Sequence, residues 1–393
     1  MADERTSKAK RYARGQRRLA LAGIALFTAY AAAWIATGLS RRVGDALAAR
    51  LPFPLDAVAM AVLFGGGWIL LDLPLALYGG FVLPQRFGLS TQTVKGWALD
   101  QAKGWGIGAG MGLPLLAGLY VAFRRWPETW WLPVGAFWIL FTVLLAQWTP
   151  VLLAPLFYRF RPLEDPDLVA RLEGMARRAG VGIRGVFVID MSRRTRAANA
   201  GLMGIGPTRR IVLGDTLLQG YTPEEIEAIL AHELAHHRHR DLPLGLALGS
   251  AVNLLGFLLG ARWLPPLVRA LGFPRLDHPG TLPALALAAM AFGLATGIPL
   301  RAWSRWREWE ADRAAIRWCS NPGALASALR KLGEQNLAEP DLEAWVEVLF
   351  HTHPALGKRI RAAEARAAAM AALAENGSPS APPSDLCRSI RSE

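Results

Sequence analysis

The chain has 393 residues and a formal net charge of +13, with 52% hydrophobic residues and a mean hydropathy of +0.23. That is too apolar for an ordinary soluble protein of this size, so the composition points to a membrane protein. Its two cysteines, Cys319 and Cys387, stand at unrelated positions, which excludes a disulfide framework and a cysteine metal cluster.

In chain order, residues 1–18 form a basic N-terminal tail carrying Arg5, Lys8, Lys10, Arg11, Arg14, Arg17 and Arg18 directly ahead of an uncharged run, Leu19 to Leu39. A basic cluster in that position anchors a span on the cytoplasmic side, and it accounts for the positive charge without a nucleic-acid partner. The run is too long for the core of a signal peptide and is read as retained. Crossing a bilayer takes about 20 apolar residues. By that measure Ala57 to Leu83, broken only by Asp72, Trp105 to Phe123 and Trp131 to Phe157 complete an N-terminal bundle of about four spans over 19–157. Trp126, Trp130 and Trp131 sit at span ends, where amphipathic rings suit the headgroup zone.

A polar segment, 158–241, follows. It holds an amphipathic helix with Leu168, Leu172 and Met175 on one face, and short strands at Val186–Ile189 and Ile211–Leu213. Leu242 to Trp263 and Leu282 to Leu300 read as two further spans within 242–301, with Arg262 near enough to an end to snorkel. A second polar segment, 302–372, precedes a Ser-, Pro- and Gly-rich tail, 373–393, expected to be disordered. With the N-terminus in the cytoplasm, both polar segments fall on the cytoplasmic side. Arg41, Arg42, Arg124 and Arg125 then lie outside, against the charge rule. The expected fold class is mainly α: a polytopic helical membrane bundle with an inserted α+β domain.

The chemistry sits in the polar segments. Thr222, Pro223 and Glu225 form a helix start, with Thr as cap, Pro in the first turn and Glu reaching back. The helix runs through Ile226, Ile229 and Leu230 into His232-Glu233-Leu234-Ala235-His236. Residues four apart share a face, so His232 and His236 can bind one zinc ion through neutral imidazoles, and Glu233 can reach a water there. The bland reading is a solvated His-rich helix, and the neighbouring His237, Arg238 and His239 receive no metal role. A catalytic zinc needs a third protein ligand and an open position. The helix-like stretch Ser304 to Asp312 offers Glu308, with Asp312 one turn later able to accept the free N–H of a ligating histidine. The same stretch also reads as a surface helix with Arg305–Glu308 pairs.

Together these two helices resemble the type I CAAX prenyl endopeptidases, membrane zinc peptidases of the gluzincin kind. Further likeness lies in Ala154-Pro155-Leu156-Phe157 through Phe160 and Pro162-Leu163, in Asn199-Ala200, and in Arg210 to Leu218. It continues upstream in Pro74, Tyr78, Phe81-Val82, Arg86-Phe87-Gly88 and Gln92-Thr93, and downstream in His353-Pro354 and Arg359. Leu83-Pro84-Gln85 and Ser90 depart from the family pattern. The resemblance covers roughly residues 60–362. It implies a helical bundle around a water-filled chamber with the zinc site facing inward. It also implies one zinc per chain on His232, His236 and Glu308, with Glu233 as general base. Beyond these it implies His353 as an oxyanion donor, Arg359 orienting it, and Asn199 on a strand that holds the substrate backbone. The function expected is a membrane zinc metalloendopeptidase acting on peptide or protein substrates, prenylated in the family, near a C-terminus or close to the bilayer. Alternatives are a quality-control protease for membrane proteins, an inactive membrane scaffold and a zinc transporter.

Overall fold

The computed structural model describes residues 2–375 apart from Ile205 and Ser320. The expected disordered tail lies outside the described residues, except that the last helix reaches Glu375. The helices are α1 (Ala2–Ala36), α2 (Leu39–Ala48), α3 (Leu55–Leu77), α4 (Leu83–Arg86), α5 (Val94–Arg125), α6 (Trp131–Trp148), α7 (Pro166–Arg178), α8 (Asp215–Leu218), α9 (Pro223–Arg238), α10 (Asp241–Ala270), α11 (Leu282–Trp318), α12 (Ala324–Gln335), α13 (Ala344–Phe350) and α14 (Leu356–Glu375). A turn of π-helix, Tyr78–Val82, joins α3 to α4.

Among the described residues six helices are long and apolar enough to cross a membrane: Glu4–Ala36, Leu55–Arg86, Val94–Arg125, Trp131–Leu156, Asp241–Ala270 and Pro279–Trp318. The chain is an integral multi-pass membrane protein. The spans meet in a closed ring, α1 to α3 to α5 to α6 to α10 to α11 and back to α1. At most 22% of any span's most apolar stretch is buried, so the helices stand as a ring and do not pack as a solid bundle. Where two spans approach closely a small residue allows it: a Cβ on Gly256 of α10 would lie 2.7 Å from the Phe292 ring of α11.

Residues 2–18 are not a separate tail. Ala, Glu, Lys and Arg are strong helix formers, and they extend the first span without a break. The extension is held by ion pairs from Arg5 to Glu334 (2.8 Å) and from Arg17 to Glu339 (2.6 Å), which set the basic end of α1 against the segment around α12. At the other end of the ring, Tyr120, Phe123, Trp130, Val268 and Phe273 form a core of their own, and α2 packs on the turn Pro279–Thr281.

The inserted segment carries a four-stranded sheet in the order β1 (Phe160–Pro162), β2 (Val186–Ile189), β4 (Arg210–Gly214), β3 (Ala200–Met203). β2 and β4 run parallel, with Val186 opposite Ile211, while β1 and β3 are antiparallel edge strands. The expected strands are its two central ones. Their Val186, Ile211 and Leu213 share a core with Leu168, Leu172 and Met175 of α7, Ile226, Ile229 and Leu230 of α9, and Leu325 and Leu329 of α12. α9 is thus buried on several faces, and that fixes the helix carrying both histidines.

Candidate metal centre

α9 begins on a complete capping box. The Glu225 N–H donates to Thr222 Oγ1 at 3.3 Å, and the Thr222 N–H donates to Glu225 Oε2 at 2.9 Å. Glu225 also accepts from Ser327 Oγ at 2.6 Å and Lys331 Nζ at 2.7 Å, so the start of α9 is tied to α12. Burial raises the Glu225 carboxyl, but Lys331, the Ser327 hydroxyl and the Thr222 N–H outweigh it and hold the group below the usual carboxylate range. Further along, α9 meets α11 across alanines: Ala231 and Ala235 on one side, Ala311, Ala314 and Ala315 on the other, none more than 1% exposed. Small side chains let the two helices approach closely, and Glu308 arrives opposite the histidines.

His232 Nε2 lies 3.2 Å from His236 Nε2, and the Glu308 carboxylate faces both, with Oε2 3.4 Å from His232 Nε2 and Oε1 3.3 Å from His236 Nε2. Ligands of a tetrahedral zinc at 2.0–2.1 Å stand about 3.3 Å apart, so the spacing of the two nitrogens suits one ion, with a Glu308 oxygen as the third donor. Two further observations fit a cation here. The imidazole nitrogens face each other, which places two lone pairs or one shared proton between them, and buried Glu308 Oε2 accepts no hydrogen bond although Arg359 Nη1 is 3.3 Å away. In this state burial lowers the basicity of His236, but the hydrogen bonds to Asp241 and Glu308 outweigh it and the imidazole is pushed up to about 9. A metal ion would compete with that proton.

Each histidine is backed by a carboxylate, and each carboxylate by an arginine. His232 Nδ1 is 3.0 Å from Asp312 Oδ1, and Arg359 grips Asp312 through Nε at 2.8 Å and Nη2 at 2.7 Å. His236 Nδ1 is 2.7 Å from Asp241 Oδ2, and Arg307 Nε donates to Asp241 Oδ1 at 2.6 Å. The sequence names Asp312 as such a partner but does not single out Asp241 or Arg307. The signal was a carboxylate five residues after His236, usable only once the chain is known to turn at Arg240, whose φ of 56° ends α9 and starts α10. Arg305 donates to the carbonyls of Glu347 and His351, so it is not the surface partner of Glu308.

Glu233 follows His232 on the inner side of α9. Burial pushes its carboxyl up, with His232 and His236 pulling the other way. A Cβ added to Gly201 would be 3.9 Å from Glu233 Oε2, which places edge strand β3 alongside it. Asn199 stands exposed just before β3, and its carbonyl is taken by the Gly214 N–H at 2.8 Å. His353, 59% exposed at its side chain, sets Nε2 3.3 Å from Glu308 Oε1. Arg359 comes to the same site from α14. Its guanidinium is buried against Asp312 and Glu308, where two buried carboxylates require a counter-charge.

The family model described as Peptidase family M48 matches residues 162–367, and the one described as CAAX prenyl protease N-terminal, five membrane helices, matches residues 1–159. The CAAX prenyl protease 1 homolog of Arabidopsis thaliana is 31% identical over 300 residues, 74% of this chain and 69% of that protein. The uncharacterized metalloprotease YhfN of Bacillus subtilis is 28% identical over 84% of this chain and 78% of its own length. Among solved structures, the crystal structure of S. mikatae Ste24p aligns with a TM-score of 0.83 at 25% identity, covering 93% of this chain and 90% of that one.

Proposed function

Since the chain belongs to peptidase family M48, in its membrane-embedded CAAX prenyl protease branch, we propose that this metalloprotease is a zinc endopeptidase. It hydrolyses peptide bonds near the C-terminus of CAAX-type or other membrane-proximal substrates. The observation that carries this reading is the triangle of His232, His236 and Glu308 with Glu233 and the free edge of β3 beside it. Two imidazoles and one carboxylate are a donor set for zinc with an open position. When bound, zinc supplies an acidified water and a Lewis acid for the scissile carbonyl.

The chain's own residues do the rest. An extended substrate adds to the outer edge of β3, which holds its carbonyl next to Glu233, and the Asn199 side chain contacts the backbone at the head of that strand. Glu233 accepts the proton of the attacking water and returns it to the leaving amine, a task helped by a carboxyl already raised by burial. His353 Nε2 donates to the oxyanion. Asp312 and Asp241 hold the two imidazoles in the tautomer that turns Nε2 inward, and Arg359 and Arg307 hold the carboxylates.

The basic end of α1 lies against the segment around α12, and a basic flank faces the cytoplasm, so the catalytic side is cytoplasmic. In this organisation 19–157 and 242–301 form the membrane body, and 158–241 and 302–372 the catalytic segments. The test is cleavage of a farnesylated CAAX peptide and its unprenylated twin by purified protein, with zinc content measured and Glu233→Gln as control. Cleavage by the wild type alone supports the reading, and the ratio between twins reports lipid recognition. Cleavage of unfolded membrane proteins but of neither peptide would move the assignment to quality control. A zinc-loaded protein that cleaves nothing would sink it.

A further inference from the structure

A cavity of about 400 Å³ opens where α9 ends and α10 begins, and none of His232, His236 and Glu308 lines it. Its polar wall is Arg209, His237, Arg238 and Arg240, its apolar wall includes Leu242 and Leu246, and no acidic residue lines it. The nearest carboxylate in sequence, Asp241, is engaged by His236 and Arg307.

Three features mark the corner as built for an anion. Arg240 holds a left-handed backbone, φ 56°, that an L side chain rarely adopts, and its guanidinium makes no hydrogen bond or ion pair among the described residues. Arg209 has a buried Nε without a partner, and its Nη1 gives only a 3.3 Å bond to the Gly182 carbonyl. α10, 30 residues long, starts here with no side-chain cap, so the positive end of its dipole adds to the arginine charge. The apolar wall decides what kind of anion. Leu242 and Leu246 are the first turns of a membrane span, so the ligand brings hydrocarbon with its charge.

We propose that this cavity binds the phosphate of an anionic phospholipid, with an acyl chain along Leu242 and Leu246. The lipid braces the α9–α10 junction, and Asp241 in that junction aligns His236. The state of the bilayer surface therefore bears directly on the geometry of the metal centre.

The experiment uses full-length protein in detergent with added phosphatidylglycerol or phosphatidylcholine, and retained lipid read by native mass spectrometry. The informative variant is Arg240→Gly, because glycine suits φ 56° and the fold survives loss of the charge; Arg209→Gln is the second, and thermal unfolding confirms that both are folded. Phosphatidylglycerol is expected to be retained over phosphatidylcholine, with retention about fivefold weaker for each arginine lost and largely kept in Arg240→Lys. Equal retention of both lipids, or no change in the folded Arg240→Gly variant, overturns the proposal. Displacement of the lipid by millimolar inorganic phosphate would replace it with a site for a soluble anion. Lipid retention is read without any cleavage assay, so its failure is distinct from failure of the peptidase reading.

Discussion

The Nδ1 atom of His236 lies 2.7 Å from Oδ2 of Asp241, the residue at which the next membrane-crossing helix begins. One carboxylate therefore serves both the candidate metal centre and the start of that helix. Asp241→Asn should weaken zinc binding by about 10- to 100-fold, the usual consequence of losing an outer partner of a ligating imidazole. Arg307→Gln should act in the same direction more weakly, since it loosens Asp241 without removing it. Competition with a graded series of chelators measures both, and unchanged affinity in Asp241→Asn would remove it from the site.

Glu233 and Glu308 should separate catalysis from metal binding. Glu233→Gln is expected to keep a full zinc equivalent while losing about 100- to 10,000-fold in turnover, as general acid–base groups do. Glu308→Gln should lose the metal itself. Zinc analysis beside peptide cleavage distinguishes them, and a Glu233→Gln enzyme as active as the wild type would refute the assignment of the base.

Arg359 neutralises Asp312 and Glu308 from a buried position. Taking out one member of such a cluster leaves a buried charge unpaired, so Arg359→Gln should destabilise the fold by about 3–5 kcal/mol. Thermal unfolding at saturating zinc gives the number. A stable variant with only impaired turnover would return Arg359 to a direct role beside His353.

Glu225 supplies a pH signature away from the metal. Its carboxyl is held below the ordinary value in the folded chain, so the stability it contributes is fully present above the unfolded value, about pH 4.3, and is lost as pH falls through the folded value. Glu225→Gln should cost about 1–2 kcal/mol at neutral pH, through a weakened cap and an unpaired Lys331. The gap between variant and wild type should close on acidification below about pH 4. Unfolding midpoints across pH test this, and a gap that stays constant would show that the cap is indifferent to charge.

Much of this architecture was legible in sequence wherever the signal was local. Runs of apolar residues announced the spans, and Thr222-Pro223-Glu224-Glu225 announced the start of α9. His232, Glu233 and His236 share one helix, so spacing alone put them together. Asp241 and Arg307 were not legible, because they meet only through the turn at Arg240 and the return of α11 from across the membrane. Edge strands β1 and β3 are three and four residues long, too short to show alternation. The grip of Arg359 on Asp312 was not legible for a related reason: it joins α14 to α11, and only the burial of the carboxylates calls for a cation between them.

The ion pairs from Arg5 and Arg17 to Glu334 and Glu339 bind an early helix to a segment made much later. A chain made only as far as α9 holds both histidines but neither Glu308 nor Arg359, so its candidate metal site is incomplete. The strut that α1 contributes can form only after Glu308, the last of the three candidate donors, has been made. A chain ending after α10 should accordingly insert, bind no zinc and leave bystander proteins intact.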